Sequence, residues 1–457
     1  MQVLAGAAAT AFVSKRELAA QEQVARATRG MPSPKIKDVI VIATAPGSNY
    51  PIVKILTDQD GLYGYGCACF TQRAELVVPA VEKYLKPFLI GKPADRIDDT
   101  WQACNNSAYW RNGPVLNNAI SGVDEALWDI KGRQAGMPVY QLLGGKCREA
   151  APCYRDVGGS TIPQLIENAQ KYMAQGFRHV RLQIGVQGMS SYGGGGRGGA
   201  AADSSPQYKP LHSESLFESA PQTRASLHML EECRKALGDE VELIHDVHER
   251  FTPIQAVQFA KDVEHIKLFY LEDALSPEDT AYFRMIRQQC ATPLAMGELF
   301  NNPHEWVPLI AERLIDYIRI HVSQAGGVTP CRKIAAMGEI FGVRTSWHGP
   351  GDVSPVGHCA NLALDLACYN LGIQEYSGFS ERVQEVFHGC PVMKDGYLYA
   401  NETPGWGIEI DEKAAAKYPF GTRRPATPGA PEGAGGRGGA IGGGRSLRRL
   451  DGTIVKQ

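Results

Sequence analysis

Val241-Glu242-Leu243-Ile244-His245-Asp246, Leu268-Phe269-Tyr270-Leu271-Glu272 and Pro293-Leu294-Ala295-Met296-Gly297-Glu298 are three apolar runs that each end in an acid, and successive acids lie 26 residues apart. Each run has the length and composition of a buried strand. A helix start of one kind follows each: Thr252-Pro253, Ser276-Pro277 and Asn302-Pro303 pair an N-cap residue with proline at the first helical position, where the missing N–H costs nothing. The helices then show apolar faces, such as Ile254, Val257, Ala260 and Val263. The repeating unit is strand, acid, loop, helix. Such units build parallel sheets, whose chemistry sits on the loops after the strand C-termini.

Along the rest of the chain, the [STN]-Pro steps at 252, 276, 302, 329 and 354 recur every 24 to 27 residues. Strands are expected near 153, 181, 244, 270, 296, 320, 346 and 375, which is the count of a (β/α)₈ barrel over 151–390. The last helix of that barrel, after Tyr376, is poorly defined by pattern. Between Gly188 and Pro221 the rhythm breaks into a Gly-rich stretch, read as a lid insertion over about 187–222 on the active-site face. Residues 35–150 read as a separate α+β unit, with strands around Val39–Ile42, Pro51–Leu56 and Gly64–Gly66 and helices over Ala74–Leu89 and Ala119–Gln134. This is the expected N-terminal capping domain, to which 391–420 returns. The Gly/Pro/Arg-rich tail, 421–457, is expected to be flexible. The first 34 residues form a tail that reads either as a remnant of an export signal or as a frayed helix.

A net charge of −2 gives no sign of a nucleic-acid partner. No stretch approaches the roughly 20 apolar residues of a membrane span. Eleven cysteines without a disulfide or zinc spacing point to reduced, mostly buried thiols and a cytoplasmic protein.

Asp246, Glu272 and Glu298, at the ends of three consecutive strands, are expected to converge, and like charges need a counter-charge. Hard oxygen donors favour a hard divalent cation, Mg²⁺ by default. His248, two residues past Asp246, can move a proton near neutral pH. His348 ends the seventh strand and Glu375 the eighth; Asn49 lies on the first loop of the α+β unit. Arg181 ends the second strand and Tyr192 opens the insertion. A tyrosine becomes a base only beside a cation, and from the residues alone this pair reads as chance. His321 and Asp156 are end-of-strand residues without a derivable role. A cation held by carboxylates among acid–base groups suits abstraction of a proton α to a substrate carboxylate; the same arrangement is given in general accounts of enolase-type sites.

The chain resembles the enolase superfamily and, within it, the mannonate dehydratase subgroup. The resemblance spans about 40–420 and the last few residues. It is carried by Tyr109-Trp110-Arg111-Asn112-Gly113-Pro114, Ala126-Leu127-Trp128-Asp129-Ile130-Lys131-Gly132, Gln141-Leu142-Leu143-Gly144-Gly145, His245-Asp246-Val247-His248-Glu249-Arg250, Leu271-Glu272-Asp273, Gly297-Glu298, Gly326-Gly327-Val328-Thr329 and Gly372-Ile373-Gln374-Glu375-Tyr376. It implies a dehydratase of sugar acids, aldonates such as D-mannonate or D-gluconate, that gives 2-keto-3-deoxy acids. One Mg²⁺ per site would be bound by Asp246, Glu272 and Glu298. Tyr192, backed by Arg181, would remove the C2 proton, and His248 would assist departure of the 3-hydroxyl. Asn49, His348, Asp352 and Glu375 would contact substrate. A homo-oligomer is the family expectation.

Three departures stand against full activity: Asp156 where the family often has histidine, Pro350 after His348-Gly349, and the Gly-rich stretch after Tyr192. They motivate an alternative, a weak or silent relative that binds an acid sugar. A racemase or epimerase is a weaker alternative, because Arg181-Leu182-Gln183 replaces the paired-lysine motif of that branch.

Overall fold

The computed structural model describes residues 31–69, 73–186, 189, 215–421 and 447–455. The expectations for residues 1–30, for Tyr192 and for most of the insertion lie outside these.

Eight strands form one closed parallel barrel: Ala151–Val157, His179–Leu182, Glu242–Asp246, Tyr270–Glu272, Leu294–Met296, Tyr317–Ile318, Arg344–Thr345 and Gln374–Glu375. Each pairs with the next through the seventh. The eighth pairs with the first, and a bridge from Thr345 to Leu371 closes the remaining gap. All eight fall where the apolar runs lie.

Side chains alternate across a strand, so inward positions recur every two residues. Tyr154, Ile244, Tyr270, Ala295, Tyr317 and Ile373 form a buried apolar layer inside the barrel. Two residues further along five of the same strands come Asp156, Asp246, Glu272, Arg319 and Glu375. A charged layer thus sits directly on an apolar plug, at the C-terminal rim.

The proline-led helix starts hold with one exception. Thr252 with Gln255, and Asn302 with Glu305, form reciprocal capping boxes, and the Ser354 side chain accepts from the Gly357 N–H. Thr329-Pro330 does not cap: its helix starts at Val328 behind Gly327, held at φ 107°. A side chain there would collide with Asp124, whose Oδ2 accepts from Thr329 N at 2.9 Å. The helix after Tyr376 is real but short, Glu381–Val386.

The N-terminal layer is an antiparallel sheet of Ile36–Thr44, Tyr50–Thr57 and Tyr63–Cys67, with its own apolar core against the helix Pro114–Ala135. Buried acids on that helix join it to the rest of the chain. Asp129 accepts from the N–H of Tyr65 and of Trp406, and the Trp406 indole donates to the carbonyls of Tyr65 and Glu125. The Tyr50 hydroxyl donates to Gly351 O at 2.8 Å, which draws the Asn49 loop onto the barrel rim.

The expectation of a flexible tail over 421–457 is corrected for its last part. Leu447–Arg448 pairs antiparallel with Ile454–Val455 and parallel with Ser215–Leu216. Leu447 and Val455 are buried, and Leu450 N donates to the Glu218 carboxylate at 2.7 Å. Leu447 and Val455 face each other across the hairpin and bury the same side of it, and composition averaged over the tail concealed them. The helix that leads from the insertion to the third strand is Ser219–Leu237, behind Glu218.

The described cysteines are all free, and most are buried. Among the described residues no helix is long and apolar enough to cross a membrane.

Candidate active site

The three strand-end acids reach one rim, but not at one level. Asp246 pairs directly with Glu272 across adjacent strands. Glu272 pairs with Ala295, three residues short of Glu298. Equal spacing in sequence is therefore not equal height in the barrel. The carboxylates whose oxygens lie within 4.8 Å of one another are Asp246, Glu272 and Asp273. The Glu298 side chain lies further out, 11% exposed against 2% and 0% for Asp246 and Glu272. It contacts His348 Nε2 at 3.3 Å, Arg319 Nη2 at 3.5 Å and His248 Nε2 at 3.8 Å.

Two buried guanidinium groups balance these acids. Arg181 grips Asp156 with two N–H groups, at 2.6 and 3.0 Å, and reaches Glu272 at 2.8 Å and Glu375 at 3.0 Å. The extra negative charge of Asp156 is thus neutralised, at the expense of Arg181's own charge. Arg319 is wholly buried and touches Glu272 at 2.5 Å and Glu375 at 2.6 Å. Arg319 carried no expectation from sequence. The two-residue step from Tyr317 that marks the acids on neighbouring strands marks it too.

Glu375 is occupied within the protein. Its oxygens accept from Arg181, Arg319 and the Gly349 N–H. Burial alone would raise its pKa, but the two arginines hold it well below the usual carboxylate range. Through these contacts Glu375 holds both guanidinium groups at the rim. Asn49 accepts from the Gly421 N–H at 3.2 Å, and Asp352 lies part-exposed beside Gly351, over which the Tyr50 hydroxyl closes.

The acids remain in excess, and their oxygens show it. Oε2 of Glu272 and both carboxylate oxygens of Asp273 are buried without a hydrogen-bond partner among the described residues. Burial, opposed by Arg181 and Arg319 and reinforced by Asp246 and Glu298, pushes Glu272 up to about 8. Burial and four neighbouring acids push Asp273 well above the carboxylate range. Buried unpaired carboxylate oxygens are costly unless a cation meets them. This donor set of oxygens alone fits a hard divalent ion.

Backbone strain gathers at the same rim. His248, Glu249 and Asp273 all lie in the left-handed region, at φ 56°, 65° and 45°, a conformation that side-chain-bearing residues adopt at a cost. The turn directs His248 N onto Asp246 Oδ1 at 2.7 Å and leaves the imidazole about one-third exposed at the mouth. His348 is partly buried, its side chain 14% exposed, and desolvation holds its pKa well below the ordinary value, with Arg319 and His321 acting in the same direction.

Comparison with known proteins bears directly on this site. The profile described as enolase C-terminal domain-like matches residues 164–414, and that of the mandelate racemase / muconate lactonizing enzyme N-terminal domain matches 26–144. A D-galactonate dehydratase family member of Musicola paradisiaca is 49% identical over 397 residues, covering 84% of this chain and 94% of that protein. The chain belongs to the enolase superfamily. Within the superfamily, its relatives of this kind include a D-galactonate dehydratase family member of Enterococcus gallinarum, 49% identical over 84% of this chain and 93% of its own length. The crystal structure of an enolase from Pantoea ananatis with bound D-gluconate and Mg superposes with a TM-score of 0.84 at 45% identity, covering 93% of this chain and 100% of that one. The barrel and its N-terminal cap are the superfamily's fold. These relatives are named for D-galactonate.

Proposed function

We propose that this enolase superfamily member is a Mg²⁺-dependent sugar-acid dehydratase that removes water from an aldonate, with D-gluconate and D-galactonate as first candidates and D-mannonate next. The observation that carries the proposal is the set of buried carboxylate oxygens of Glu272 and Asp273, without a hydrogen-bond partner among the described residues, beside Asp246 at the mouth of strands three and four. The relatives' names and the D-gluconate and Mg of the Pantoea ananatis structure support the same reading. Asp246, Glu272 and Glu298 would hold the ion, with Asp273 in reach of the first two. When bound, Mg²⁺ supplies positive charge next to the substrate carboxylate and so acidifies the C2 proton.

The chain's own residues do the rest. Tyr192, outside the described residues, would take the C2 proton. His248, on its strained turn at the mouth, would deliver a proton to the departing 3-hydroxyl. His348 would offer a donor from the opposite side. Arg319 and Glu375 hold the acids in place from below. The homo-oligomer expected from sequence belongs to the same proposal, and light scattering on the purified protein tests it.

One observation favours a second reading, a slow or silent enzyme. Arg181, the cation that would stabilise a Tyr192 phenolate, already serves Asp156, Glu272 and Glu375. One experiment separates the two. Purified protein with Mg²⁺ is screened against C5 and C6 aldonates for 2-keto-3-deoxy product. Ordinary turnover selects the dehydratase; calorimetric binding without product selects the silent relative. Solvent deuterium entering C2 without loss of water selects an epimerase.

A further inference from the structure

His321 ends the sixth barrel strand and His348 the seventh. Their Nδ1 atoms lie 2.7 Å apart, with ring centroids 4.9 Å apart. Two such nitrogens at this distance share a single proton, so one ring donates and the other accepts. The far end of His348 sets the direction. Its Nε2 lies 3.3 Å from Oε2 of Glu298, and a carboxylate only accepts. A neutral His348 with its proton on Nε2 has a bare Nδ1, which must accept from His321. The reverse direction requires an imidazolium at His348, on the same Glu298 oxygen that the Arg319 guanidinium already meets at 3.5 Å. His321 Nε2 is then the bare nitrogen, and it is buried with no hydrogen-bond partner among the described residues, so no donor is left unmade there.

We propose that His321 is a positioning residue: its Nδ1–H fixes His348 in the Nε2-protonated tautomer, so that His348 presents a hydrogen-bond donor to the rim where Glu298 lies. The inference rests on the dehydratase reading only for its kinetic consequence. His348 would then be a dedicated donor to an anionic or hydroxyl oxygen of the substrate, unable to act as a base from that nitrogen. The backbone supports the arrangement, since His348 O accepts from Asn361 Nδ2 at 3.0 Å and His348 N donates to Ile320 O at 2.9 Å.

The test uses two isosteric variants of the full chain. His321→Asn puts an amide N–H where Nδ1 lies; His321→Asp puts an acceptor there. In ¹⁵N-histidine-labelled protein, the His348 ring signals are assigned by their loss in His348→Gln. We expect Nε2-protonated His348 in the parent and in His321→Asn, and the Nδ1-protonated form in His321→Asp. With the best aldonate, His321→Asn keeps kcat within a few-fold. His321→Asp loses on the order of 100-fold in kcat with little change in KM, as wrong-tautomer variants do elsewhere. An Nδ1-protonated parent, or an unchanged tautomer in His321→Asp, overturns the proposal. So does equal loss of activity in both variants. If no aldonate turns over, the dehydratase reading fails, while the ring signals still decide the role of His321.

Discussion

Replacing one acid at a time separates two three-carboxylate sets, and the structure makes them differ. Asp246, Glu272 and Glu298 follow from the recurring strand ends; Asp246, Glu272 and Asp273 are the oxygens in mutual reach. If the first set holds Mg²⁺, binding to the native state alone stabilises it by about 2.7 kcal/mol at a hundredfold excess over Kd. For a domain of this size that is roughly 5 °C or more in Tm. Glu298→Gln should remove most of this Mg²⁺-dependent rise. Asp273→Asn should retain it, and its Mg²⁺-free Tm should exceed the parent's, because a buried carboxylate with no hydrogen bond among the described residues and four acidic neighbours is relieved. Scanning calorimetry with chelator and with a Mg²⁺ titration reads both quantities. A variant pair behaving the other way round, with the rise lost in Asp273→Asn and kept in Glu298→Gln, would refute the assignment of Glu298.

Other perturbations have definite signs. Asp156→Asn releases the Arg181 charge that Asp156 now neutralises, near an anionic substrate, and at an effective dielectric of about 20 this is worth about 1–2 kcal/mol; KM for the aldonate should fall several-fold, and an unchanged or higher KM speaks against it. His248→Asn should lower kcat on the order of 100-fold or more while leaving the Mg²⁺-dependent Tm rise in place, which calorimetry and a ketone assay check together. Asp124 is pushed up to about 7, mainly by burial. The native state therefore keeps a proton that the unfolded chain has released above about pH 4, and this contribution, complete below about pH 4, is lost as pH climbs to 7. The stability of Asp124→Asn relative to the parent should rise across that window in urea titrations, and a flat difference would show that Asp124 is ionised when folded. Asn302→Ala removes a reciprocal cap and should cost about 1 kcal/mol by the same titration.

The barrel was legible because its signal is local. Buried parallel strands are short apolar runs, and Thr252, Asn302 and Ser354 announce their helices within a few residues. Asp246 and Glu272 were legible at the rim for the same reason, since an acid at the end of a buried run lies at the strand's C-terminus; Asp273, one residue further, carried no such expectation. Relative height was not legible, because it depends on which residue of one strand faces which of the next, and Glu272 faces Ala295. Arg319 was hidden as an ordinary basic residue in an apolar run until Tyr317 was seen to point inward. The commitment of Arg181 to Asp156 joins two strands and has no trace in either alone. Gly327 took the cap from Thr329 because of Asp124, some 200 residues earlier in the chain.

Leu447–Arg448 lies beside Ser215–Leu216, while Gly421 N is bonded to Asn49. The hairpin of 447–455 therefore acts as a clasp on the segment that follows the insertion. A single cut anywhere along 422–446 would leave a short peptide seated on the barrel by contact alone, free to leave on dilution.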